Sequence, residues 1–273
     1  MYGVRRYSRA GWERCNDRVA VEEPLEIRIG YSFKASRRVE SAAVTMRTPG
    51  NDHELAAGFL LSEGVISRAD DIRGIQRLGA NGENEIVIDL AETVDIEEWR
   101  LRRPTLANSA CGLCGKRSID AIPTAPSAAA DNVMLTPDLI YELPALLRAR
   151  QAGFGASGGL HAAALISGTG EVLSVFEDIG RHNALDKVIG DCLLRNLVPI
   201  CGSLLFMSSR GSFELVQKSL AAGCSILATV GAPSSLAIEF ARDRSLTLIG
   251  FVRDDHFNVY SGEWRVSSDS MEL

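Results

Sequence analysis

Little in this sequence ties the chain to a membrane, a secretory route or nucleic acid. No apolar run approaches the roughly 18 residues of a membrane span, and the amino terminus lacks the charged-then-apolar order of a signal peptide. A basic excess is also missing. The formal charge is −6 and the pI near 5.4, which argues against a general nucleic-acid footprint; any phosphate-bearing ligand must be met by a local group of Arg and Lys. The six cysteines follow no regular spacing, as expected of reduced thiols in the cytoplasm rather than a disulfide framework. One close pair exists, Cys111 and Cys114, and no second pair stands ready to close a tetrahedral zinc site. A zinc-dependent deaminase would need a His-x-Glu, which neither His161-Ala162-Ala163 nor His182-Asn183-Ala184 supplies.

What is present centres on Asn108-Ser109-Ala110-Cys111-Gly112-Leu113-Cys114-Gly115-Lys116-Arg117. Two thiols sit among small residues, with two cations directly after them. The thiolate is the reactive form, and neighbouring positive charge or a Cys-x-x-Cys partner lowers a cysteine pKa from about 8.5 into the range of about 3.5 to 7.5. Three readings stand side by side: half of a structural zinc site, a thioredoxin-like redox pair, and a nucleophile that carries sulfur as a persulfide. The loop-like Arg-Arg-Pro-Thr-Leu-Ala-Asn-Ser before Cys111 speaks against the second, which belongs at a strand-to-helix junction. Cys15, Cys192, Cys201 and Cys224 are isolated. Of these, Cys201 and Cys224 lie in or beside apolar runs and are expected to be buried.

Taken in order, Met1 to Arg18 holds five arginines against two acids and reads as a basic, solvated tail. Leu25, Ile27, Ile29 and Tyr31 alternate as in a half-buried strand. A second strand is predicted over 38–46, a helix over 53–62 closed by Gly64, and two strands over 72–78 and 85–90. Residues 19–105 thus form a small α+β domain. The stretch 106–130 reads as a mobile cysteine loop and linker, such long irregular segments being functional or disordered. Thr136-Pro137-Asp138 opens a helix in which Pro144 is an irregularity, so that the helix either bends or begins later. From Gly159 onward strands at 160–166, 172–176, 204–207, 226–230 and 246–251 alternate with helices at 183–194, 213–222 and 235–242. That rhythm predicts a parallel or mixed sheet covered on both faces, making 131–273 an α/β cofactor-binding domain.

In such sheets ligands sit beyond the C-terminal strand ends. Glu177-Asp178-Ile179-Gly180-Arg181-His182-Asn183, Ser208-Ser209-Arg210-Gly211-Ser212 and Gly231-Ala232-Pro233-Ser234-Ser235 each follow a strand and open a helix. A guanidinium and free helix N–H groups suit phosphate, although the same residue types also serve simple helix capping. Three such loops side by side would line one cleft. His161 opens a strand, His53 lies on the first helix, and Phe251-Val252-Arg253-Asp254-Asp255-His256 carries the final strand end into a charged loop.

Together these motifs resemble the FdhD family of formate dehydrogenase accessory sulfurtransferases. The resemblance runs from Thr48-Pro49-Gly50 through the cysteine stretch, Gly158-Gly159-Leu160-His161-Ala162, the run from Glu177 to Lys187 and Arg210-Gly211-Ser212-Phe213-Glu214 to Leu246 through Arg253. It implies a chaperone-like homodimer that takes sulfur from a cysteine desulfurase and passes it to the molybdenum or tungsten bis-molybdopterin guanine dinucleotide cofactor of formate dehydrogenase. Cys111 would be the persulfide carrier and Cys114 an assistant or relay. Cofactor binding would fall on Phe251, Val252, Arg253, Asp254, Asp255 and His256, with Arg210 and Arg181 suited to the nucleotide. The C-terminal part would have a cytidine-deaminase-like three-layer fold without that fold's zinc signature. Ser209 stands where the family pattern has glycine, and Gly231 where it has serine.

Overall fold

The computed structural model describes residues 1–34, 36–78, 84–96 and 131–267. Cys111 and Cys114, and with them the expected loop and linker at 106–130, lie outside the described residues.

The first element is solvated, as expected, yet ordered. Tyr2–Ser8 (β1) and Gly11–Asp17 (β2) form an antiparallel ribbon, in register from Tyr2 opposite Asp17 to Ser8 opposite Gly11. Gly11, at φ 121°, takes the backbone through the turn in a conformation that favours glycine. Arginine-rich composition hid the pairing of β-formers, Tyr7 with Trp12 and Val4 with Cys15.

Next come β3 (Glu23–Phe33), β4 (Ser36–Arg47), α1 (Asp52–Ser62), β5 (Ile72–Leu78) and β6 (Glu85–Leu90), the predicted β-β-α-β-β order. They form a four-stranded sheet in the order β4-β3-β6-β5, with β3 and β6 parallel. Leu25, Ile27, Ile29 and Tyr31 turn inward together, and Ile86, Ile88 and Leu90 of β6 join them. Gly64, at φ 70°, follows α1 and donates its N–H to Leu61 O.

The helix α2 (Pro137–Arg148) begins at Pro137, with Thr136 Oγ1 accepting the Leu139 N–H at 3.3 Å, and it continues past Pro144. An interior proline costs about 3 kcal/mol. Burial of Leu139, Ile140, Leu143 and Leu147, at about 1.5–3 kcal/mol for each apolar side chain, outweighs it. A short helix that the sequence pattern did not announce follows, α3 (Ala152–Ser157).

The remainder comprises β7 (His161–Ser167), β8 (Val172–Asp178), α4 (Arg181–Leu194), β9 (Ser203–Met207), α5 (Phe213–Ala221), β10 (Ile226–Thr229), α6 (Ser235–Asp243), β11 (Thr247–Gly250) and β12 (Asn258–Ser261). The sheet order is β12-β11-β10-β9-β7-β8; β9, β10 and β11 are parallel, while β7, β8 and β12 run antiparallel to their neighbours. Its two faces are read from side-chain alternation. Ala163, Leu165, Leu205, Met207, Leu227 and Leu248 belong to one hydrophobic cluster with α4, α5 and α6. Ala162, Ala164, Ile166, Leu204, Phe206 and Ile249 belong to another with α2. The architecture is therefore mixed α/β.

The first cluster also takes in Leu25, Ile27, Leu55 and Leu60, so the amino- and carboxy-terminal halves share one core. At its centre α1 and α4 meet backbone to backbone: a Cβ on Gly58 would lie 1.9 Å from Asp186 O, and one on Gly190 would lie 1.8 Å from Glu54 O. Only glycine permits that approach. Among the described residues no helix is long and apolar enough to cross a membrane.

Candidate functional site: one loop-bearing rim

Strand direction assembles the site. The parallel strands β9, β10 and β11 end on one edge of the sheet, and β7 runs the other way, which brings His161 to that same edge opposite Asp178 at the end of β8. The three small-residue loops there are stitched into a single ledge. Gly231 N donates to Ser209 O (2.9 Å), Gly211 N to Ala232 O (3.2 Å), Phe251 N to Gly231 O (3.2 Å) and Val252 N to Thr229 O (3.1 Å). Ser208 joins β7 by accepting the Ala162 N–H on its hydroxyl at 2.9 Å.

Most of the run from Glu177 to Lys187 faces inward. The Glu177 carboxylate accepts the Gly153 and Phe154 N–H groups, both at 2.7 Å, and so caps α3. Asp178 and Lys187 form a buried ion pair at 2.7 Å. Asp178 also accepts the Thr48, Gly180 and Asn183 N–H groups, and Lys187 donates to Thr48 O at 3.1 Å. Thr48 reciprocates by accepting the Ile179 N–H at 3.1 Å, so the Thr48-Pro49-Gly50 segment is a clasp between the two halves. Deeper still, Asp186 is held by Lys218 (2.7 Å) and Ser62 (2.9 Å); burial pushes its pKa up while the Lys218 ammonium pulls it back. These carboxylates bind the protein together, not a ligand.

Arg181 and His182 remain at the rim. Arg181 Nε is buried and has no hydrogen-bond partner among the described residues, and the Ser212 hydroxyl at the start of α5 is in the same condition. Such groups cost about 1–3 kcal/mol when left unsatisfied. His182 Nε2 lies 2.8 Å from Glu214 Oε2, joining the first turns of α4 and α5. Burial lowers the pKa of His161, the Arg181 and His182 charges lower it further, and Asp178 opposes them. His161 is therefore a neutral imidazole near pH 7. Arg210 is exposed, and among the described residues its guanidinium has no ion pair or hydrogen bond.

The six residues from Phe251 to His256 divide by role. Phe251 is 37% exposed and sits at φ 54°, a left-handed conformation that costs a non-glycine residue on the order of 1 kcal/mol or more. Val252 is fully buried in the second hydrophobic cluster. The Arg253 guanidinium is committed to two carbonyls, Val230 O at 2.7 Å and Val252 O at 2.8 Å. Asp254, Asp255 and His256 are exposed, with His256 Nδ1 2.6 Å from Asp255. Phe251 and the acidic turn thus present side chains outward, whereas Val252 and Arg253 hold the ledge.

Ser209 and Gly231 follow adjacent strands, on the ledge. Gly231 N donates to Ser209 O, and a Cβ on Gly231 would stand 2.9 Å from the Arg210 Cα.

Beside this ledge lies a cavity of about 510 Å³, bounded by Leu147, Arg148 and Phe154 on one side and by Gly159, His161, Ser208 and Val230 on the other. The Arg148 guanidinium stacks 4.5 Å from the Phe154 ring centroid. Val230 connects cavity and ledge through its carbonyl bond to Arg253. Sequence reasoning missed Phe154 because a six-residue helix shows no readable period, and Arg148 and Gln151 because only folding brings them against it.

Among the four described cysteines, burial pushes Cys192 and Cys224 up to about 12, so neither is a nucleophile near neutral pH. Cys201 is exposed, which corrects the expectation of burial: it precedes β9 in a turn with Gly202 rather than sitting in the strand. Cys15 is half-buried in the ribbon. Among the described residues no three His, Cys, Asp or Glu side chains gather as metal ligands.

The family model described as FdhD/NarQ matches residues 20–267 of this chain. A protein named sulfur carrier protein FdhD from Nocardia farcinica is 47% identical, covering 98% of this chain and 94% of its own length. One of the same name from Streptomyces coelicolor is 45% identical over 92% of this chain and 89% of its own length. Another, from Saccharolobus solfataricus, is 40% identical over 92% and 91%. In fold, the chain is similar to a crystal structure named as a formate dehydrogenase accessory protein from Desulfotalea psychrophila, with a TM-score of 0.74, 23% identity and 98% of each chain covered. With nearly its whole length matched in sequence and in fold, the chain belongs to the FdhD/NarQ family.

Proposed function

We propose that this chain is a cytoplasmic, homodimeric sulfur carrier for formate dehydrogenase, which takes sulfur from a cysteine desulfurase onto Cys111 and delivers it to a molybdenum or tungsten bis-molybdopterin guanine dinucleotide held as substrate. The observation that carries this reading is the rim. Among the described residues Arg181 Nε and Ser212 Oγ are buried donors without partners and Arg210 is an uncommitted guanidinium, and α4 and α5 begin beside them. That is the donor set an oligophosphate requires. The adjoining cavity, with Phe154, Arg148, Gln151 and the neutral His161, suits a planar base. Phe251 and the acidic turn would close the outer side. A cytidine-deaminase-like layering of the C-terminal half is part of this proposal.

The sulfur chemistry balances with two thiols. The Cys111 thiolate attacks the terminal sulfur of the desulfurase persulfide; the donor's S–S bond breaks, its cysteine leaves as thiolate, and Cys111 holds the sulfur without net oxidation. Cys114 thiolate then attacks the inner sulfur of Cys111. A Cys111–Cys114 disulfide forms and hydrosulfide is released, the form that a metal accepts as a sulfido ligand. A dithiol reductant restores the pair. Lys116 and Arg117 favour the thiolate at both stages.

The test is to incubate the full chain with a cysteine desulfurase and cysteine and to map its peptides by mass. One added sulfur atom on the Cys111 peptide is expected, absent in Cys111→Ala, which should keep the wild-type melting curve and fail to activate formate dehydrogenase. Loading on Cys201 or Cys15 instead, or activation by the Cys111→Ala protein, would reject the assignment.

A further inference from the structure

The ribbon of β1 and β2 takes no part in the rim and precedes residue 20, where the family match begins. Neither strand pairs with any other described strand. A two-stranded ribbon that no further strand extends is marginal in water. Yet its side chains are sorted. Cross-strand pairs alternate between faces, so Tyr7 and Trp12 share one face with Arg5 and Arg14. On that face Tyr7 is 72% and Trp12 57% exposed, and the Arg5 guanidinium lies 5.2 Å from the Trp12 ring centroid. The other face carries Val4 and Cys15, both half-buried, and the Arg6–Glu13 pair.

Charge is divided just as unevenly. Residues 1–18 hold five arginines, Glu13 and Asp17, a formal +3 in a chain of −6, which leaves −9 on everything that follows. Large exposed aromatics with arginine, presented together, are what protein interfaces are enriched in. Opposite charge across an interface adds steering and register. The ribbon's complement is therefore carried by the same sequence, but on its own chain the aromatic–arginine face stays open to solvent. The linker leaves from the rim side of the body: Ala20 lies against Gly159, where an added Cβ would be 3.5 Å from the Ala20 methyl, with Val19 and Val21 exposed on either side.

We propose that residues 2–17 are a docking arm, and that its Arg5, Tyr7, Trp12 and Arg14 face seats on the acidic body of a second copy of this chain. Two arms exchanged about a two-fold axis make the contact twice, each removing one aromatic face from water. The inference rests on the homodimer of the proposed function, for which it names the contact, and is independent of the sulfur chemistry.

Sedimentation of the full chain over a concentration series tests it, with Arg5→Glu/Arg14→Glu and Trp12→Ala as variants. The ribbon lies outside both hydrophobic clusters, so the variants should melt as the wild type does. The dimer dissociation constant is expected to rise about tenfold or more on charge reversal or Trp12 truncation, and to rise with salt. Hydrogen exchange supplies a second readout: backbone amides of residues 2–17 should become protected as concentration passes through that constant. The proposal is overturned by a chain that stays monomeric, by a dimer whose affinity the charge reversal leaves within twofold, or by ribbon amides that exchange alike in monomer and dimer. Capture of the ribbon by another protein while the chain itself stays monomeric counts against it equally.

Discussion

Two strand-to-helix junctions on the same rim use the same residue types to opposite ends. After β8, Asp178 and the following Asn183 and Lys187 bond to Thr48, to Met46 and to one another, and almost all of their hydrogen-bonding capacity is used inside the protein. After β9, Arg210 has no partner among the described residues and the Ser212 hydroxyl is buried unbonded. One junction is a clasp and the other an open cradle. Charged motifs after strands are thus ambiguous, and what decides between clasp and cradle is whether another segment of the chain arrives to satisfy them.

The comparison breaks most visibly at Asp178. Asp178→Ala leaves Lys187 charged and buried, and is expected to cost about 3–5 kcal/mol in denaturant unfolding; a loss under about 1 kcal/mol would mean that the clasp is not structural. Less costly is Gly231→Ser, whose Cβ meets the Arg210 backbone and should destabilise by about 1–3 kcal/mol. An unfolding midpoint that the substitution leaves unchanged would show that the Arg210 backbone yields to the added side chain.

On the cradle side the expected signs reverse. Arg210→Ala should leave unfolding stability within about 0.5 kcal/mol, and Arg181→Ala, which removes a buried unsatisfied donor, should not lower it. Guanosine diphosphate, titrated calorimetrically as a probe, should bind about tenfold more weakly to each, the loss of one charge-assisted hydrogen bond. Unchanged affinity in both variants would remove these arginines from the site.

The smallest effect is a titration. The folded-state pKa of His161 lies below its ordinary value of 6.5, with burial the leading cause and Arg181 the next. Below pH 6.5 the unfolded chain therefore takes up the proton more readily, and stability contributed here is lost as pH falls toward the folded pKa. Arg181→Ala should move the His161 resonance titration upward only in part, because burial remains. A full return to the ordinary value would make the charge the main cause.

Much of the secondary structure was legible because each element obeys its own period. Leu25, Ile27, Ile29 and Tyr31 alternate, Leu139, Ile140, Leu143 and Leu147 recur by helical turn, and Gly64 stops a helix. Pro144 misled in one respect, since its local penalty is small against the apolar face around it. The ribbon escaped notice because neither of its faces enters the core, so no burial pattern marks it. Within the site, Arg181 and Arg210 were legible as cations after strands, whereas Arg148 and Phe154 were not, because only folding brings α2 and α3 against β7 and β9.

Composition and order by themselves determined that this is a mixed α/β chain, that its strand ends carry donors for an anion, and that its one close thiol pair is flanked by cations. Those are properties of short stretches, set by backbone propensity and side-chain chemistry. Tertiary structure alone decided which charged groups are locked and which are free: Asp178, Lys187, Asp186 and Lys218 are far from their partners or from Thr48 and Ser62 along the chain and meet them only when α1 packs on α4. Burial and hydrogen-bond satisfaction belong to the assembled molecule, and on this rim they separate the residues that hold the fold from those left over to hold something else.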